Sequence, residues 1–385
     1  MVAYDTGIAQ GVDHQLLRAL CVVRHGECEQ DRAPCAVATD RHEDSASARI
    51  LVFRVGSDKT IVREERSDGT IAITVAYGKQ AGLELAEGVH LSVSLGHGGI
   101  GLGGELTASA VATSEHGFTW TMRDPAAADA LVARLGVSRQ ELLGLVAAGR
   151  LQAPTQRYDQ GGFAVSGGIS RGKGTLALSS DDVAGSRVDA STGRRTLYVQ
   201  RSVEGALSLT TGPGGVTGSR RTRERYAITY DRTGRPVDLM VVTAGRYRVS
   251  MDLPARLQPA LGLLSVPTGH ARTYVEETHL DLTDPESLRV AAAFIEQVRH
   301  PGAVDKASVA VADALRHRLD AVGVVHARAY DADERRYGID ASVGFKGIRI
   351  GGQVSRTLED THLVAATTRG LDGVWRKRAD CLSHA

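Results

Sequence analysis

The sequence predicts an α+β fold built mainly from antiparallel β-hairpins, joined by Gly-rich turns and interrupted by a few capped α-helices. Three observations carry this. Apolar residues alternate with period two over long stretches, tight-turn pairs such as Asp68-Gly69 separate those stretches, and two Asp-Pro steps each open an Ala-rich run. With 44 glycines and only 4% aromatics, the core must come from Val, Leu and Ala, leaving glycine for turns and close backbone approaches.

Taken in order, Leu16, Leu17, Leu20 and Val23 recur at helical spacing behind Asp13, which predicts a helix over 14–23. From Cys28 to Ser47 the chain is polar and aperiodic, predicting a long loop that needs outside support. Ile61 to Glu65 and then Ile71, Ile73 and Val75 flank Asp68-Gly69, a pair that tolerates the positive φ of a hairpin turn. A second hairpin spans 89–110, because apolar parity flips from odd (Val89, Leu91, Val93, Leu95) to even (Ile100, Leu102, Leu106, Ala108) across Gly96-His97-Gly98-Gly99. Asp124-Pro125 then caps AAADALVARL, and Ser138 with Glu141 forms a capping box for a second helix that Gly149 stops. Residues 151–161 are the best boundary.

A strand-rich stretch from Phe163 to Met251 follows, with turns at Ser191-Thr192-Gly193, at 211–215 and at Asp231-Arg232-Thr233-Gly234. Leu253 to Leu264 reads as a connector and Thr273 to Leu282 as strand. Thr283-Asp284-Pro285-Glu286 repeats the strand, Asp-Pro, Ala-rich-helix order about 160 residues after Asp124-Pro125, a weak internal repeat. A helix over 306–321 precedes the sharpest local expectation, a hairpin in which Phe345 pairs with Ile348 and Val343 with Ile350 across Lys346-Gly347. Three regions result: 1–47 with a helix and a Cys-containing loop; 48–155, a hairpin region ending in two helices; and 156–385, a larger antiparallel region with helices near 286–299 and 306–321.

Forty arginines against six lysines, with no asparagine, reflect a compositional bias rather than a functional surface. A net charge of +1 argues against a nucleic-acid partner, and Arg220, Arg221, Arg223 and Arg225 read as a solvated strand or loop. No apolar run approaches the ~18 residues of a transmembrane helix, and the N-terminus has no basic stretch followed by an apolar one.

Four places invite chemistry. Arg24-His25-Gly26-Glu27 resembles the RHGE signature of histidine phosphatases, and His97-Gly98 resembles that family's second His-Gly. The resemblance implies His25 as phosphate acceptor, Arg24 as clamp and His97 as partner, with Glu27 completing the motif. Gly168-Ile169-Ser170-Arg171-Gly172 matches G-x-S-x-G in form. That chemistry requires a following helix, and Thr175-Leu176-Ala177-Leu178 alternates like a strand, so the segment reads as a turn. Glu277, His279 and Asp281 point to one face of a strand, yet the outer pair is ~13 Å apart, so a solvated face is favoured over a metal site. Finally, Cys21, Cys28, Cys35 and Cys381 suit two disulfides ahead of free thiols or a metal, with Cys28–Cys35 and Cys21–Cys381 the favoured pairs; oxidised cysteines would imply export. Without them the chain would be cytoplasmic.

Residues 226–245, from Tyr226-Ala227-Ile228-Thr229-Tyr230-Asp231 through Gly234 to Gly245, resemble one YD repeat of RHS-type secreted bacterial shells, which implies a strand, an Asp-x-x-Gly turn and a returning strand. Taken together, the features favour a non-enzymatic binding or structural protein of a bacterium, exported or surface-associated, without a cofactor and with an unnamed protein or surface partner; homo-oligomers stay open. Two alternatives stand beside it: a phosphatase-like enzyme using the motif at 24–27, and a membrane-interacting protein using the one-face-apolar hairpins at 89–110 and 339–354.

Overall fold

A computed structural model describes residues 34–50, 53–85, 105–171, 174–211, 214–252, 269–299, 306–345 and 348–382. The first half holds strands β1 (Ala36–Ile50), β2 (Phe53–Arg66), β3 (Ile71–Leu85), β4 (Glu105–Met122), β5 (Gln156–Arg171) and β6 (Gly174–Asp189). The second half holds β7 (Arg195–Thr211), β8 (Gly214–Tyr230), β9 (Pro236–Asp252), β10 (Gly269–Asp281), β11 (Val324–Phe345) and β12 (Ile348–Arg369), followed by the short β13 (Trp375–Lys377). Helices α1 (Pro125–Arg134) and α2 (Arg139–Ala147) join β4 to β5; α3 (Pro285–Arg299) and α4 (Lys306–Val322) join β10 to β11; α5 (Ala379–Leu382) follows β13.

Each strand pairs antiparallel with the next, and β1 also pairs with β12 from Ala38↔His362 to Ile50↔Ile350, so twelve strands close on themselves. This corrects the expected α+β arrangement of hairpins: the hairpins exist, but they are consecutive staves of one barrel. Closure joins residues 300 or more positions apart, and no local pattern encodes it. A second correction concerns 36–47, read as loop and found in β1. Its alternate residues Thr39, Arg41, Glu43 and Ser45 are as polar as their neighbours, so period two in hydrophobicity is absent although the backbone is extended.

The connections define two ends. At the base lie the β2–β3, β6–β7 and β8–β9 turns and both helix pairs; at the rim lie the approaches 50/53, 171/174, 211/214 and 345/348. The base turns behave as their residues dictate. Asp231 Oδ1 accepts from the N–H groups of Thr233 (2.8 Å) and Arg235 (2.9 Å), and Gly234 takes φ 82°. Predicted caps also form: Asp124 accepts from Ala126 N–H at 3.0 Å, Ser138 from Glu141 N–H at 3.3 Å, and Asp284 from Ser287 N–H at 2.8 Å. The C-terminal hairpin has the expected register, with Phe345↔Ile348 and Val343↔Ile350.

The helix pairs leave the barrel six strands apart and pack on its outside. Leu131 and Leu135, with Leu142 of α2, cover Ile71, Ile73, Val75, Phe118 and Trp120 of β3 and β4. Val290 and Ala291 of α3 and Leu315 of α4 cover Leu239, Leu280 and Leu282. Each fully buried Leu or Ile contributes about 1.5–3 kcal/mol, and the two larger apolar cores among the described residues lie between sheet and helix; a smaller one, of Cys35, Val37, Leu363, Ala366 and Cys381, sits where the chain ends meet.

Candidate functional site in the barrel lumen

Neighbouring side chains on a strand point to opposite faces, so each strand sends one set outward and the other into the lumen. The lumen set is polar. Glu115 of β4 accepts from the Tyr158 hydroxyl at 2.6 Å and from Gln160 Nε2 at 2.9 Å; Gln160 Oε1 in turn accepts from the Tyr198 hydroxyl at 2.8 Å. Arg225 of β8 donates to Gln200 at 2.9 Å and lies 4.8 Å over the Tyr198 ring. Both tyrosines lie flat against a neighbouring strand because glycine is there: a Cβ on Gly117 would sit 1.8 Å from the Tyr158 ring, and one on Gly185 2.6 Å from Tyr198. These are the close approaches that the glycine content predicts.

Across the lumen, Arg246 of β9 bridges Glu334 at 3.2 Å and Glu359 at 2.8 Å, spanning from β9 to β12, while Arg248 also pairs with Glu334. Nearer the base, His279 contacts Glu277 through Nε2 at 2.8 Å and Asp238 through Nδ1 at 3.2 Å, and Arg328 donates to Glu277 at 3.0 Å. Space remains between these networks. One cavity of about 320 Å³ is lined by Asp58, Ser109, Thr113, Ser166, Ser179 and Asp181. A second, of about 280 Å³, is lined by Thr74, Tyr158, Arg187, Tyr198, Arg225 and Met240, and Glu115 and Gln160 line both.

The outer set reverses this chemistry toward the rim. Val55, Phe163, Val165, Leu176, Leu178, Val203, Leu207 and Val354 face outward and are 43–63% exposed. Below them runs a belt of outward-facing pairs: Arg201–Asp182 at 2.8 Å, Arg356–Asp44 at 2.7 Å and Arg272–Asp331 at 2.6 Å. Tyr247 and Tyr274 meet edge to face at 6.4 Å, and Arg220 lies 5.2 Å over Tyr247, on the same outer surface. Below the belt the helix pairs cover the apolar positions of β3, β4, β9 and β10, while Val188 and Val364 at the base ends of β6 and β12 stay 44% and 45% exposed.

Several sequence expectations are placed by this geometry. Glu277 and His279 share a face as expected, but that face is the lumen, where they bind each other; the expected solvated surface is corrected because the barrel closes around it. Asp281 accepts instead from Thr283 N–H at 2.8 Å in the turn to α3. Among the described residues no group of three His, Cys, Asp or Glu side chains could hold a metal. Gly168–Arg171 end β5 and β6 starts at Gly174, so strand follows the G-x-S-x-G segment as expected. Arg221, Arg223 and Arg225, read as solvated surface, line the lumen, while Arg220 faces out. Arg24, His25, Glu27 and His97, together with Cys21, Cys28 and the helix at 14–23, lie outside the described residues.

Cys35 and Cys381 form a disulfide with Cα atoms 5.6 Å apart, so the partner of Cys381 is Cys35 and not Cys21. Its position explains the pairing. β13 pairs with β12 at Thr367–Arg369 and β1 pairs with it from 350 to 362, so both chain ends share one lane beside β12, and the bridge fastens them where they meet. Nothing local marks this pair, since its two cysteines are 346 positions apart.

No family model matches the chain, and no curated protein matches it. Solved structures similar to it include the transport unit of the autotransporter AIDA-I from Escherichia coli, at 9% identity and TM-score 0.27, covering 92% of this chain and 97% of that one. The β domain of the Bordetella autotransporter BrkA follows at 8% identity and TM-score 0.30, covering 85% and 99%. The translocator domain of the autotransporter NalP from Neisseria meningitidis is at 11% identity and TM-score 0.24, covering 93% and 98%. Overlaps at this level assign neither a family nor an activity.

Proposed function

We propose that the chain is a membrane-spanning β-barrel of a bacterial cell envelope, with its rim half in the lipid, its helix-clad base in water and its polar lumen a passage. The observation that carries this is the band of bare apolar side chains on the outside toward the rim, including Val55, Phe163, Leu176, Leu178 and Leu207, above a belt of ion pairs and tyrosines and around a lumen filled with polar groups. In a soluble barrel the apolar set would face inward; among the described residues the apolar cluster on the inner face is the small one of Val37, Leu363 and Ala366 beside the disulfide.

Dimensions support the division. Strands of 16–17 residues, such as β5 and β8, run about 55 Å along their length at ~3.3 Å per residue, and about 40 Å along a barrel axis at the usual tilt. That exceeds the ~25–30 Å of hydrocarbon, so only part of each strand can be in lipid and the remainder needs another cover. The helix pairs supply it. Tyr247 and Tyr274 suit the interface, where an apolar ring and a wet hydroxyl are both satisfied. The disulfide supports an oxidising compartment. No helix among the described residues is long and apolar enough to cross a membrane; a closed barrel, with every strand paired on both sides, is the strand architecture that can span one.

The test is reconstitution of the purified chain with lipid vesicles and planar bilayers. The expected result is co-flotation with vesicles and discrete conductance steps. A protein that stays monodisperse without detergent and does not float with lipid would overturn the reading.

A further inference from the structure

Resting on the passage reading, we propose that the lumen wall formed by β6 and β8 is an anion-binding strip that selects small solutes carrying phosphate or carboxylate groups. The two walls of the lumen differ in how their charge is spent. On β9, Arg246 and Arg248 are held by Glu334 and Glu359, so that side is locally neutral. On β8, Arg221, Arg223 and Arg225 alternate along one face, and Arg187 of β6 joins Arg225 at the second cavity. Among the described residues none of these four has a carboxylate within 4.0 Å. Asp181 acts on Arg221 and Arg223 from β6, Glu204 stands opposite Arg221 in register, and Glu115 shares the second cavity with Arg187 and Arg225, so three acids face four arginines.

A second observation lies in the same row. Asp181, Ser202 and Arg223 are consecutive partners across β6, β7 and β8. Ser202 is 2% exposed, and its hydroxyl has no hydrogen-bond partner among the described residues, although such a group normally finds one. An oxyanion beside Arg223 would accept from both the guanidinium and this hydroxyl, the donor set that planar phosphate and carboxylate recognition requires. The opposite side of the lumen carries Asp58 and Glu115, close enough to act on each other, while Glu43 is paired with Arg41 at 2.6 Å. A solute entering the lumen therefore meets a field directed across it, positive at β8 and negative at Asp58 of β2 and Glu115 of β4, and anions concentrate on the β8 side.

Two measurements test this. The first is the reversal potential of wild type and of Arg221→Gln/Arg223→Gln in planar bilayers under a KCl gradient. Wild type should favour chloride, and the double variant should lose about threefold or more of that preference at equal conductance; a cation-selective wild type or an unchanged ratio overturns the strip while leaving the passage. The second is binding of inorganic triphosphate to detergent-solubilised full chain. Arg223→Gln should weaken it about tenfold, as expected for losing one charge-assisted contact, and Arg223→Lys should retain most of it. If no conductance appears, the passage reading fails and this arm decides the strip alone: equal affinity in wild type and Arg223→Gln overturns it. Thermal melts of each variant separate lost binding from lost fold.

Discussion

Leu280 and Leu178 occupy matching kinds of position, outward-facing on a barrel strand, and meet opposite fates. Leu280, near the base, is 0% exposed beneath α3 and α4, whereas Leu178, toward the rim, is 57% exposed. The same contrast separates Ile73 and Val75 under α1 and α2 from Phe163 and Val165 on the next strands round. One barrel thus solves the burial of an apolar outer face in two ways. Where helices return to the sheet, protein covers it, and toward the rim the face is left bare, as the proposed lipid contact requires. The lesson is that strand alternation alone does not say which side is the inside; the medium on each side does.

The largest expected effect tests that contrast directly. Leu280→Ala should cost about 2–5 kcal/mol in a denaturant titration, because it leaves a cavity between sheet and helices, and should not alter vesicle flotation. Leu178→Arg should do the reverse, costing about 2–4 kcal/mol of insertion by placing charge on the lipid face while leaving the base helices intact by circular dichroism in detergent. If both substitutions affected flotation equally, the two halves would not differ as described.

Next in size is the fastening of the chain ends. Opening the Cys35–Cys381 bridge by Cys381→Ser frees a lane held otherwise by the β1–β12 ladder, and about 2–4 kcal/mol of stability should go with it. Denaturant midpoints with and without reductant check this: wild type should shift and Cys381→Ser should not. Coincident midpoints for reduced and oxidised wild type would mean that hydrogen bonding alone closes the barrel.

The smallest effect belongs to a helix cap at the base. Partial burial works against ionisation of Asp284, but bonds from Ser287 and from Arg318, the latter at 2.6 Å, outweigh it and hold the carboxyl below the usual carboxylate range. A folded-state value below the unfolded one of about 3.9 means that the stabilisation is complete above that pH and is lost as pH falls through it. Asp284→Asn should therefore lower the melting temperature at neutral pH, with the gap to wild type closing below about pH 4. Parallel curves at every pH would assign the stability of α3 and α4 to apolar packing alone.

How far the sequence could be read follows from the range of each interaction. Asp124, Ser138, Asp284 and the Asp231–Gly234 turn were legible because each satisfies backbone groups within four residues of itself. The 339–354 hairpin was legible because Lys346-Gly347 and strict alternation leave one register. β1 was not, since Arg41, Glu43 and Ser45 face a polar lumen while Asp40, His42 and Asp44 face out, so both faces look alike to a hydrophobic pattern. The lumen site was invisible for the same reason. Arg221, Arg223 and Arg225 read as a solvated outer face, but barrel closure turns that face into the lumen wall.

By itself the chain's order of residues settled where most hairpins turn and where helices begin, because those choices are made by neighbours a few positions apart, but not that 36–47 is a strand. Only the closed structure decided which face of each strand looks inward, which cysteine meets Cys381, and which acids stand against which arginines. Those outcomes depend on partners from distant strands and on the solvent meeting each surface, and neither is written at any single stretch of the chain.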